Sequence, residues 1–65
     1  PENHPNIAVS LNNLAELYRE QGKYEAAEPL LLQAIEIFKQ SLGEEHPHTQ
    51  KVQENYQIFL NDKNN

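Results

Sequence analysis

The stretch NNLAELYREQGKYEAAE, residues 12–28, decides the fold. Leu14, Ala15, Leu17 and Tyr18 belong to one apolar pattern, Tyr24 and Ala27 open another, and Gly22 stands between them. Glycine enters left-handed backbone without a Cβ clash, so Gly22 can end one helix and let a second begin. Working back from it, Ile7, Leu11, Leu14 and Tyr18 recur at steps of four, three and four, which is one face of a helix. Leu17 and Ala15 widen that stripe. Pro5 suits the first helical position, where its missing N–H costs nothing, and His4 then falls at the cap, with Glu2 near the positive end of the helix dipole. The pattern predicts a helix over 5–21.

Working forward, Ala27, Leu30, Leu31, Ala34, Ile37, Phe38 and Leu42 make a wide stripe over 24–42, broad enough to touch two neighbours. Pro29 falls inside it and removes one backbone hydrogen bond, but the apolar period runs through unchanged, so a single helix is expected. Gly43 ends it. Helices joined by about two residues are antiparallel neighbours. A third helix is expected over 47–61. Val52, Tyr56, Phe59 and Leu60 form its narrower stripe, while Gln50, Gln53, Gln57 and Asn61 cover much of the rest. The closing NDKNN has no apolar residue, and residues 62–65 are expected to fray.

Composition bounds what such a chain can do. A single core in 65 residues supplies only about 3–5 kcal/mol. With no cysteine there is no disulfide and no thiolate metal site, which fits a reducing, cytoplasmic setting. No apolar run approaches the ~20 residues of a membrane helix. Ten acidic against five basic residues leave a net charge of −5. Nucleic acids and anionic membrane surfaces are held by Lys and Arg, so neither is an expected partner. A first residue of Pro, with no signal-peptide pattern after it, suggests an excised piece of a longer protein.

The chain also repeats itself. PENHP at 1–5 matches GEEHP at 43–47 at a shift of 42, which pairs Glu2 with Glu44, His4 with His46, Pro5 with Pro47 and Asn13 with Asn55. The order of helices is therefore A, B, A′. Repeats of this length imply a solenoid, where each unit buries its face by stacking on the next.

At Leu11, Leu14, Ala15 and Tyr18, followed by Ala27, Leu31 and Ala34, the chain resembles a tetratricopeptide repeat. Leu11 replaces the usual Trp and Leu31 the usual aromatic, while Gly22 and Tyr24 match the usual turn. The usual closing Pro falls at Lys39, which lets the second helix continue and agrees with a spacing of 42 instead of roughly 34. The longer spacing, the NNLA run and the HP helix start are similar to kinesin light chain-type repeats, which bacterial multi-repeat proteins also carry. The resemblance implies an all-α fold, a fragment of a right-handed α-solenoid. Residues 1–43 would hold an antiparallel helix-turn-helix repeat and 44–61 a C-terminal capping helix.

The third helix departs from the repeat: Gln53 stands where Leu11 stood, and Gln57 where Ala15 stood. Bulky polar residues there leave no seat for a further helix, so the third helix reads as a solvating cap. Helix one is expected to expose apolar residues where a preceding helix would lie. Two expectations follow: more repeats upstream in the natural protein, and self-association of the 65-residue unit. A homodimer or larger oligomer would form by face-to-face docking, or by a domain swap of helix three across an opened GEEHP connection.

Candidate chemistry is sparse. His46 and His48 beside Glu44 and Glu45 are metal-ligand types, but Pro and acidic residues at a helix start serve capping and the dipole. Ser10 and Ser41 have no base at a meaningful spacing, so no catalytic residue, cofactor or metal is assigned. Asn12 and Asn13 are poor helix formers whose amides suit an extended peptide backbone. By resemblance, the first helix of each repeat lines a concave groove. That puts Asn12, Asn13 and Glu16 in the groove, with Lys51, Glu54, Asn55 and Ile58 beside them. In carboxylate-gripping relatives an Asn of one such helix works with a Lys early in the next, and Asn13 and Lys51 occupy those positions. The further basic residue of that clamp would fall at Asn55. The expected role is a non-catalytic scaffold for a protein or peptide ligand. The alternative is a structural cap or self-assembly unit of the array without a ligand of its own.

Overall fold

The computed structural model describes residues 4–64 and contains three helices, α1 (Pro5–Glu20), α2 (Tyr24–Leu42) and α3 (Pro47–Lys63). The Cα atoms span 32 × 21 × 12 Å, so the helices lie side by side in one layer, with α2 packed against both α1 and α3.

The same local chemistry starts α1 and α3. His4 and His46 hold extended backbone ahead of Pro5 and Pro47, and each imidazole Nδ1 accepts the backbone N–H two residues on, from Asn6 and from His48, at 3.1 Å. Both rings therefore cap an orphan donor of the first turn. Glu2 lies outside the described residues.

The first turn is a complete Schellman closure. Gly22, at φ 78°, donates to the Arg19 carbonyl at 3.0 Å, and Lys23 donates to the Tyr18 carbonyl at 2.8 Å. This closure stops α1 at Glu20, one residue before the expected end. Gly43, at φ 90°, ends α2 where expected. The helix passes Pro29 unbroken; Pro29 and Glu25, whose carbonyl loses its donor, are both exposed to solvent.

The core is a band of small and large apolar residues along α2. Ala27, Leu31, Ala34, Ile37 and Phe38 are buried, with Ala8 and Ala15 of α1 on one side and Val52 and Phe59 of α3 on the other. Alanines on the α1–α2 contact allow close approach; Leu11, Tyr18 and Leu30 fill around them. The stripe expected on α1 is corrected here. Ile7 and Leu14 are 41% and 39% exposed and Leu17 49%, because α2 takes the face of Ala8, Leu11 and Ala15.

α3 also differs from expectation at its end. It runs two residues past Asn61, and instead of fraying, Asp62 and Lys63 make cross-helix bonds. Asp62 Oδ2 accepts from Arg19 Nη1 and from the Tyr24 hydroxyl, each at 3.2 Å. Lys63 Nζ donates to Glu28 Oε1 at 2.8 Å, and the Tyr56 hydroxyl donates to Glu28 Oε2 at 2.9 Å. The polar composition of the tail concealed these partners, which lie on α1 and α2. Thr49, absent from the expected stripe, is fully buried and donates its hydroxyl to the Phe38 carbonyl at 3.3 Å.

Candidate functional site

Two of the depressions that α3 lines among the described residues separate the residues grouped from sequence. The smaller, of about 130 Å³, lies between α1 and α3 and is lined by Val9 and Asn12 of α1, Phe38 of α2, and His48, Lys51, Val52 and Asn55 of α3. Steps of three on α1 and of three and four on α3 bring these polar residues to facing sides of it. Asn12, Lys51 and Asn55 thus come together.

The other expected residues stand elsewhere. Asn13 is exposed outside the lining, and Ile58, 56% exposed, sits one turn beyond Asn55. Glu16 is engaged within α1, accepting from Arg19 Nη2 at 2.7 Å. That bond and the bond to Asp62 raise the Arg19 pKa further, so the guanidinium is a permanent charge between two carboxylates. Glu54 faces the second depression, of about 590 Å³, with Leu32, Ile35, Gln50, Gln53, Tyr56 and Gln57.

Electrostatically the small depression differs from the rest of an acidic chain. Lys51 is exposed and makes no ion pair among the described residues. The Asn12 side-chain oxygen is buried and accepts no hydrogen bond among them. An unsatisfied buried acceptor costs on the order of 1–3 kcal/mol. Val9 and His48 were missed from sequence. The signal was present, because His48, Lys51 and Asn55 share one helical face, and Val9 precedes Asn12 by one turn.

The remaining histidine chemistry is structural. The His46 and His48 rings lie with centroids 5.0 Å apart, and His46 Nδ1 is occupied as a cap. Among the described residues no three His, Cys, Asp or Glu side chains group as a metal site, and no helix is long and apolar enough to cross a membrane.

A close antiparallel helix pair, with a third helix laid on its second member at a one-repeat shift, defines a helical-repeat interaction module. The tetratricopeptide repeat family model matches residues 7–48, and the chain belongs to that family. The matched span of 42 positions equals the shift between the two HP helix starts. Repeats of this family generally serve protein–protein interaction and are non-catalytic.

Proposed function

We propose that the chain binds an extended peptide segment across the face shared by α1 and α3, with Asn12, Lys51 and Asn55 as the gripping residues. The observation that carries this reading is a depression that brings Asn12 and Asn55 beside Lys51, an exposed cation with no ion pair among the described residues. Asn12 and Asn55 face the amides of the segment, and Lys51 takes a carboxylate. Asn13, Glu16 and Ile58 flank the path of the segment instead of gripping it. The 42-residue period supports a place among kinesin light chain-type repeats.

A random peptide display library is the probe. Wild-type protein is expected to enrich acidic segments, and Lys51→Glu to abolish that enrichment while the circular dichroism stays helical. Equal enrichment by the two proteins, or none by either, overturns the reading.

A second reading is favoured by the large depression, and in it α3 is chiefly a cap. Ala8, Leu11 and Ala15 of α1, which pack on α2, correspond at the shift of 42 to Gln50, Gln53 and Gln57. Glutamines at close-contact positions hold off a further helix and solvate the end of the layer. Gln53→Leu with Gln57→Ala tests it. Loss of solubility with an unchanged peptide-library profile supports the cap, and unchanged solubility counts against it.

A further inference from the structure

His48, Lys51 and Asn55 share one face of α3, and all three line the small depression between α1 and α3. His48 is exposed, so its ring exchanges protons with solvent. Its place is held by ring contacts: Phe38 of α2 lies at a centroid distance of 6.1 Å and His46 at 5.0 Å. Its backbone N–H is fixed by the His46 imidazole at 3.1 Å. The groups around the ring decide what a proton there would do. α1 faces the depression with Val9 and Asn12 and α2 with Phe38, none of which titrates. On α3 the neighbouring charge is Lys51, one turn on. Before α3 stand His46, whose Nδ1 serves the cap, and Glu44, which pairs with Lys39 of α2 at 3.7 Å. Glu45 is exposed and outside the lining. Among the described residues no carboxylate lines the depression, so a proton on His48 adds to the charge of Lys51 instead of neutralising an acid.

We infer that His48 is a proton-dependent second cation of the face shared by α1 and α3, so that an acidic segment is held more tightly as pH falls below neutrality. The inference rests on the peptide-binding reading and adds its regulation. Histidine is the side chain whose charge ordinarily changes between about pH 5 and 8, while the carboxylates of a partner stay ionised above about pH 5. Within that window the face passes from one positive charge to two, and the partner does not change. The protonated face holds the anion better, so binding takes up a proton, and by the same linkage a lower pH strengthens binding. His48 and Lys51 are both exposed, so their contacts with a carboxylate are screened. The gain expected is about two- to fivefold in affinity, shrinking with added salt.

A rhodamine-labelled octaglutamate is the probe, an extended acidic segment that stays ionised at both about pH 8 and about pH 6. Its binding is read by fluorescence anisotropy at low salt. Every protein carries His4→Asn and His46→Asn, since asparagine caps a helix and does not titrate, and circular dichroism checks that each is helical at both pH values. The protein with His48 is expected to bind about two- to fivefold more tightly at the lower pH. His48→Gln is expected to bind equally at the two, and His48→Lys to bind at both as the His48 protein does at the lower. Lys51→Glu is expected to abolish binding throughout. Affinity that does not change with pH in the His48 protein, or a rise that persists in His48→Gln, overturns the inference and leaves the peptide-binding reading standing. Absence of binding by every protein, or binding unchanged by Lys51→Glu, overturns that reading and the inference with it.

Discussion

Arg19 on α1 and Asp62 on α3 stand 43 residues apart in the chain and meet at 3.2 Å across the end of the layer. Asp62 also accepts from Tyr24 at the start of α2, so one carboxylate ties all three helices together. Its neighbour Lys63 reaches back to Glu28, which Tyr56 bonds from the other side. The last turn of α3 is therefore held by charge and hydroxyl contacts, while its middle is held by Val52 and Phe59.

Asp62→Ala should weaken the chain modestly. Arg19 and Asp62 side chains are 26% and 42% exposed, and exposed pairs contribute about 0.2–1 kcal/mol. Urea unfolding should shift by an amount in that range, with faster amide exchange concentrated in the last turn of α3. A loss confined to α1 would contradict the assignment.

Acid should loosen α3. The Glu28 carboxylate is held below its ordinary value of 4.5, first by the Lys63 hydrogen bond and then by that of Tyr56. A depressed folded-state value means that this stabilisation is complete above the ordinary glutamate range and is lost as pH falls through the folded value. Lys63 is raised by the same bond, so its share is present below the ordinary lysine range and lost as pH rises through the raised value. Thermal melts from pH 7 to pH 3 should fall less in Glu28→Gln than in wild type. Parallel curves would remove Glu28 from the account.

Close helix contact should make the α1–α2 hairpin intolerant of bulk. Ala15 and Ala27 are 1% and 0% exposed, and Ala15→Leu or Ala27→Leu should cost about 1–3 kcal/mol as extra carbons force the helices apart. Leu32→Ala should cost less, because Leu32 is 46% exposed beside the glutamines of α3. Thermal melts in the reverse order would contradict the helix phases.

Sequence by itself determined the three helices, their caps and the antiparallel pairing of the first two. These follow from local rules: the His–Pro starts, the left-handed glycines at 22 and 43, the three-and-four spacing, and a linker too short for any other arrangement. It also grouped Asn12, Asn13, Glu16, Lys51, Glu54, Asn55 and Ile58 as groove candidates, without separating the residues that share a depression from those that do not. Only the tertiary structure decided which face of each helix is covered. Ile7 and Leu14 share a helical stripe with Leu11, yet α2 takes the side carrying Ala8 and Ala15, since small residues permit the closer approach. It likewise divided Glu54 from Lys51, which stand only one helical turn apart and which the packing of α3 sends to different depressions. Asp62 and Lys63 have no local apolar pattern to announce them. Their partners are on α1 and α2, and an ion pair between distant residues leaves no periodic mark in the chain.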